Sequence, residues 1–284
     1  MLLKRRPKPQ TLQSEPLSVT GTMLSHPGCV RELNEDVVAY VLPSGTVPSS
    51  CDMLALVADG MGGHAAGEVA SQIAANTVLR LYYKLEGPPP EILAKCLRTA
   101  NQVIRKHSKI DPRCVGMGTT CTVLALRDGA AYLAHIGDSR AYLLREGRLR
   151  QVSDDHSLVA KLVRDGVLTE EEAARSPRRN VILRALGIEP SVEPTIWQRG
   201  FSLQAGDAFV LCSDGLSDLV NDAVIAETVT RLAPFEACNA LVDAALAAGG
   251  TDNVSVGVFA VGDPRPQSEP QRTTRPLELS RGEP

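Results

Sequence analysis

The chain reads as an α+β protein, a four-layer α-β-β-α sandwich in which two antiparallel sheets pack together and helices flank them. Three observations predict it. Short apolar runs recur as neighbours, and Asp128-Gly129 joins two of them. A two-residue Asp-Gly link between such runs is a strong hairpin signal. The stretches with helical spacing come in two pairs, at about 67–108 and 221–248. Strands grouped apart from helices argue against βαβ units and a parallel sheet. Finally, 284 residues that are 43% hydrophobic and 22% charged are enough to bury a sizeable core.

The elements follow in order. Apolar runs at 17–24, 36–42 and 53–58 predict three strands. Val69, Ile73, Thr77 and Leu81 keep helical spacing and predict a helix over about 67–85. A second helix, 90–108, is announced by Pro88-Pro89-Pro90. Strands are expected at 119–127 and 130–136, then at 140–145 and 149–152 through Glu146-Gly147. Residues 153–192 are polar and irregular, with a short helical piece near 157–164. Another piece starts at Thr169, where Thr-Glu-Glu-Glu fits a capping box. A strand near 195–203, another at 208–212, helices at 221–232 and 234–248 and a last strand at 254–261 complete the chain. One domain over 17–262 is expected, between a flexible basic arm at 1–16 and a proline-rich flexible tail at 263–284.

Composition excludes several classes. The net charge is −3, so no bulk basic field points to nucleic acid. No apolar run approaches the roughly 18 residues of a membrane span. Only Met1 to Leu3 are apolar before Lys4-Arg5-Arg6, so no signal peptide is expected and the cytoplasm is the simplest compartment. A monomer is expected. The seven cysteines are irregularly spaced with no Cys-x-x-Cys pair, and read as reduced, mostly buried thiols.

The chemistry sits at strand ends. Asp59 ends the 53–58 run and opens Asp59-Gly60-Met61-Gly62-Gly63-His64, ahead of the first helix. That stretch is open to three readings: a plain turn, a phosphate cradle, or a metal site made by Asp59. Asp138 and Asp214 follow two other apolar runs, while Asp36 and Asp252 precede two more. Asp-Gly is also a common turn; Asp128-Gly129 is read only as a hairpin turn and Asp165-Gly166 as the end of a helix. Taken together, carboxylates at separate strand ends would repel if they met, and a divalent cation would remove that repulsion. Asp218 stands four residues after Asp214, on the same face if a helix begins there. Five histidines with no His-x-x-x-His or His-x-His pair argue for a hard cation, Mg²⁺ or Mn²⁺, rather than Zn²⁺.

The ordered set Arg31-x-x-Asn34-Glu35-Asp36, Asp59-Gly60-Met61-Gly62-Gly63-His64, Gly118-Thr119-Thr120, Gly137-Asp138-Ser139-Arg140, Ser213-Asp214-Gly215-Leu216-x-Asp218 and Asp252-Asn253 resembles the PP2C (PPM) family of metal-dependent protein Ser/Thr phosphatases. It is most similar to the bacterial branch, over about 17–262. The resemblance implies two core Mn²⁺ or Mg²⁺ ions and a weaker third. By that resemblance Asp59 bridges the core pair, and the Gly60 carbonyl is a ligand of the second ion. Asp214 and Asp252 complete the first, and Asp36 lies beside the second, with Glu35 a lesser candidate. Asp138 and Asp218 match the third site, and Arg31 the phosphate-binding arginine. Arg31, Asp59 and Asp214 are thus the expected catalytic set. The resemblance implies hydrolysis of phosphoserine and phosphothreonine by a hydroxide bridging the metals, with phosphorylated proteins, a Ser/Thr kinase and its substrates as partners. A non-catalytic phosphoprotein-binding domain and a small-molecule phosphatase are the rival readings. Residues 153–192 match the family's flap; Asp155 and His156 are read as structural there, and Arg140 as an ion-pair partner. Met61 stands where animal members carry a histidine proposed as general acid. That leaves a metal-bound water, or secondarily His64, for the role.

Overall fold

The structure is a computed structural model that describes residues 17–42, 53–62 and 66–262. The expected arm at 1–16, the expected tail at 263–284 and His64 lie outside the described residues. The first part of the chain forms β1 (Ser18–His26), β2 (Asp36–Val41), β3 (Met53–Met61), α1 (Ala66–Tyr82) and α2 (Pro89–Ile110). The middle forms β4 (Gly118–Thr119), β5 (Cys121–Arg127), β6 (Ala130–Ile136), β7 (Arg140–Arg145), β8 (Arg148–Gln151), α3 (Leu158–Arg164) and α4 (Glu170–Ala174). The last part forms β9 (Thr195–Ile196), β10 (Phe201–Ser202), β11 (Ala208–Cys212), α5 (Asp214–Ser217), α6 (Asp222–Arg231), α7 (Pro234–Ala247) and β12 (Val254–Gly262).

One sheet runs β1-β12-β11-β7-β8; the other runs β10-β6-β5-β3-β2, with β4 added on β3 and β9 on β6. Their pairings are antiparallel. Period-two alternation builds the layers. On β3, Met53, Ala55 and Val57 face the other sheet, where they meet Phe209, Leu211 and Phe259. Leu54, Leu56 and Ala58 face the opposite way, into a core with Ala70, Ala74, Leu93 and Leu97 of α1 and α2. On β11, Val210 and Cys212 pack against Ile225, Leu241 and Ala245 of α6 and α7. The order is therefore helices, sheet, sheet, helices. Each fully buried Leu, Val or Phe contributes about 1.5–3 kcal/mol, so three such cores hold the layers together.

The hairpin turns stand as expected. Asp128 and Gly129 have φ of 51° and 73°, and Glu146 and Gly147 have 53° and 72°, the left-handed pair of a type I′ turn. The Thr169–Glu172 capping box is formed. Three departures have local causes. The third strand continues past Ala58, because Gly60 and Met61 pair with Thr119 and Gly118. The expected strand at 195–203 breaks into β9 and β10. A one-turn helix, α5, starts at Asp214 itself. Among the described residues no helix is long and apolar enough to cross a membrane.

This topology puts the starts of β2 and β12 beside the ends of β3, β6 and β11. The expected carboxylates lie on or just beyond these strand ends, with Asp214 and Asp218 at the two ends of α5.

Candidate functional site

Acidic residues from both sheets converge at this end of the sandwich. Asp36 and Asp59 are direct partners in the β2–β3 register, where like charges repel. Ser213, between β11 and α5, spans the two sheets: its Oγ donates to Asp36 Oδ2 at 2.7 Å. Asp59 lies close enough to Asp36 and Asp214 to feel both charges. Asp138, one residue past Gly137 at the end of β6, lies close enough to feel Asp214 and Asp218. Asp252 precedes β12; Arg31 Nη2 donates to its Oδ2 at 2.7 Å and the Asn253 amide to its Oδ1 at 2.8 Å.

The electrostatics are strained. Burial, then Asp214 and Asp252 against the pull of Ser255 and Ser213, pushes the Asp36 carboxyl up to about 7. Burial and then Asp214 does the same to Asp138, to about 7. Asp214 rises to about 6 through burial, then Asp218 and Asp252. Asp59 lies well above the usual carboxylate range, through burial and then Asp36 and Asp214. Asp218 is raised by burial against the pull of Arg140 and Arg179. The Oδ1 atoms of Asp36, Asp138 and Asp214 are buried with no hydrogen-bond partner among the described residues. Such oxygens are costly to bury unless something positive meets them. All the donors gathered here are oxygens, which suits a hard divalent cation rather than zinc.

The backbone around Asp59 is tightly held. Its amide donates to Thr120 Oγ1 at 2.9 Å, and its carbonyl accepts from Thr119 Oγ1 at 2.8 Å. Thr120 Oγ1 in turn bonds Ser139 Oγ at 2.7 Å. A Cβ on Gly60 would collide with the Gly67 carbonyl and would lie 2.7 Å from the Glu35 carbonyl. Only glycine lets β3 approach the start of α1 this closely. Glu35, the lesser metal candidate, turns its carboxylate to the Gly67 amide at 3.1 Å and its carbonyl to Ser71 Oγ at 2.6 Å. The first bond caps α1.

Residues 153–192 lie between β8 and β9 and reach the acidic end. Arg179 Nε stands 3.6 Å from Asp218 Oδ2. A cavity of about 170 Å³ is lined by Arg179, Asn180, Asp214, Asp218, Thr251 and Asp252, among others. Arg140 and Asp155 form a forked ion pair with Nη2–Oδ2 at 2.8 Å, as expected. His156 is buried. Away from this end, His107, Asp111 and Cys114 gather donor atoms within 4.8 Å of one another. There the carboxylate already accepts from Arg113 at both oxygens, 3.0 and 2.7 Å.

A model of the family described as protein phosphatase 2C matches residues 32–248. The chain belongs to the protein phosphatase 2C family. It is 43% identical over 240 residues to the serine/threonine protein phosphatase PstP of Mycobacterium tuberculosis, covering 83% of this chain and 44% of that one. The chain thus spans less than half the length of that PP2C relative. It is 35% identical over 237 residues to the serine/threonine phosphatase Stp of Listeria innocua, covering 81% of this chain and 90% of the relative. Among solved structures, M. tuberculosis PstP/Ppp superposes with a TM-score of 0.77 at 40% identity, over 87% of this chain and 100% of that one. A PstP catalytic domain in complex with two manganese ions gives a TM-score of 0.76 at 39% identity, over 87% and 100%.

Asp36, Asp59, Gly60, Asp138, Asp214, Asp218, Asp252 and Arg31 all lie at this acidic end of the sandwich. The sequence reading gave no role to Ser213, Thr119, Thr120 or Asn253, which hold the cluster. Asn253 accepts from the Glu35 amide at 2.8 Å and donates to the Pro27 and Leu33 carbonyls at 3.0 and 2.9 Å. It thereby staples the Arg31 loop to the start of β12. Its place beside Asp252 in the motif was the only available signal.

Proposed function

We propose that this chain is a metal-dependent protein phosphatase that hydrolyses phosphoserine and phosphothreonine in proteins. The observation that carries the reading is the set of buried carboxylate oxygens on Asp36, Asp138 and Asp214 that have no partner among the described residues. They fit Mn²⁺ or Mg²⁺, and PstP, a relative of similar fold, is known with two manganese ions. Asp59, the Gly60 carbonyl, Asp214, Asp252 and Asp36 would hold two ions, and Asp138 with Asp218 a weaker third. When bound, such ions neutralise phosphate charge and acidify water.

The chain's own groups do the rest. Arg31 grips phosphate oxygens with its planar fork, which Asp252 orients at 2.7 Å. Its side chain is 52% exposed and so stays open to an incoming phosphate. Arg179 and Asn180 line the adjoining cavity, where the peptide flanking the phosphoresidue would lie. Cys96, Cys121, Cys212 and Cys238 are buried thiols pushed up to about 12 by burial. None of those four can serve as a thiolate nucleophile. His135 and His156 have both ring nitrogens engaged, with Thr122 and Asp154 and with Gly137 and Thr195. Neither is free to protonate a leaving group, and Met61 cannot do so. The partners that fit are phosphorylated proteins, including a Ser/Thr kinase, and the chain acts as a cytoplasmic monomer. Residues 17–262 form the phosphatase domain.

The test is substrate preference. With Mn²⁺, purified protein should cleave phosphothreonine and phosphoserine peptides in preference to nucleotide and sugar phosphates. A preference for the small molecules would overturn the protein-substrate reading.

A further inference from the structure

Asp138 is introduced by a peptide that one distant residue holds on both sides. Gly137 has φ of +112°, and a Cβ there would lie 2.5 Å from the Thr120 side chain. The backbone at this point is therefore confined. Both of its polar groups go to His156. The His156 amide donates to the Gly137 carbonyl at 2.7 Å, and the Gly137 amide donates to His156 Nδ1 at 3.2 Å.

That second bond fixes the tautomer. An amide can only donate, so Nδ1 must be bare and the ring proton must sit on Nε2. Nε2 then donates to Thr195 Oγ1 at 3.0 Å. The residue is only 5% exposed. Burial, then His135, Arg184 and Arg164, pushes its protonation down to about 3, so the ring is neutral.

His156 also gathers both ends of the 153–192 segment. Its carbonyl accepts from the Leu183 amide at 2.7 Å, and the next residue, Ser157, bridges Ile182. One imidazole and its own peptide thus join the base of that segment to the peptide in front of Asp138. The direction of the Asp138 carboxylate follows from that peptide, and its Oδ1 is buried with no partner among the described residues.

We propose that His156 is a positioning residue for Asp138: through the Gly137 peptide it sets the aim of that carboxylate and couples it to the 153–192 segment. The inference rests on the reading of Asp138 as a metal ligand. Simple volume filling is the competing explanation, and two near-isosteres separate them. Asparagine places Oδ1 where imidazole Nδ1 lies and keeps the Gly137 bond. Glutamine reaches the Nε2 position, keeps the Thr195 bond and loses the Gly137 bond.

The experiment is Mn²⁺ titration by calorimetry of the wild type and of His156→Asn, His156→Gln and Asp138→Ala, with thermal unfolding as the check on folding. Asp138→Ala and His156→Gln should each weaken the last Mn²⁺ step by about tenfold or more, the scale of one lost buried hydrogen bond. His156→Asn should restore binding to near wild type. Equal behaviour of the Asn and Gln variants, with the Asp138→Ala loss intact, would overturn the role of His156 alone. Unchanged Mn²⁺ binding in Asp138→Ala would overturn the ligand assignment beneath it. Amide exchange in the wild type needs no variant: saturating Mn²⁺ should slow exchange at Gly137 and Leu183 together. Exchange that slows at Gly137 but not at Leu183 would refute the coupling.

Discussion

Replacing Asp36 by asparagine should stabilise the metal-free protein while weakening its response to metal. The reason is local. Asp36 faces Asp59 across the β2–β3 pair, and its carboxyl is held at about 7 against an ordinary 3.8. At pH 8 that difference places about 4 kcal/mol on the ionised form, at about 1.4 kcal/mol per pH unit. Relaxation and water entry reduce it, leaving about 1–3 kcal/mol to be gained by a neutral amide. Asparagine can still accept from Ser213 Oγ, now at 2.7 Å from Asp36 Oδ2. The pH dependence has a definite sign. Between about 4 and 7 the folded metal-free chain holds a proton that the unfolded chain has lost, so wild-type stability rises as pH falls. The advantage of asparagine should therefore shrink to roughly a third at pH 5. The assay is thermal unfolding in EDTA at pH 8 and pH 5, where the pH 8 gain should appear as a rise of about 2–10 °C. With Mn²⁺ at a hundredfold excess over its Kd the wild type should gain about 2.7 kcal/mol, and the variant clearly less. A variant less stable than wild type in EDTA at pH 8, or one with an undiminished Mn²⁺ shift, would refute the reasoning.

Arg31→Lys keeps the charge but loses the fork, so KM for a phosphopeptide should rise by about tenfold with kcat little changed; an unchanged KM removes Arg31 from phosphate binding. Gly60→Ala drives a Cβ against the Gly67 and Glu35 carbonyls, and should cost about 1–3 kcal/mol in chemical denaturation while abolishing Mn²⁺ binding. His156 takes its proton only near 3, whereas the unfolded chain takes it at about 6.5. Its contribution is thus intact above 6.5 and fades as pH falls toward 3, opposite in sign to that of the carboxylates. NMR of the imidazole should show His156 neutral at pH 5, and a titration midpoint above 6 would contradict the burial argument.

Much of this was legible in the sequence, for definite reasons. Apolar runs of strand length that end in aspartate mark both the strands and the acidic cluster, as at Asp59, Asp138 and Asp214. Left-handed turn pairs such as Asp128-Gly129 mark hairpins because few other residues tolerate that backbone. What stayed hidden depends on partners far along the chain. The pairing of β4 with Gly60 and Met61 joins segments about sixty residues apart, and no local pattern announces a two-residue strand. The split of 195–203 follows from Gly200 passing over Tyr132 and Ala130, where a Cβ would lie 2.8 Å from either side chain. Glu35 looked like a ligand beside Asp36, but it stands just before β2 and turns toward α1. Its carboxylate turns instead to the Gly67 amide at the start of α1.

The central claim is that the acidic cluster holds metal ions that make this chain a phosphatase. The most direct measurement is phosphate release from a phosphothreonine peptide by purified protein, with Mn²⁺ and with EDTA, alongside folded Asp214→Asn. Turnover with Mn²⁺, none in EDTA and almost none in the variant is the expected result. Equal turnover with and without metal, or near-wild-type turnover by Asp214→Asn, would contradict it.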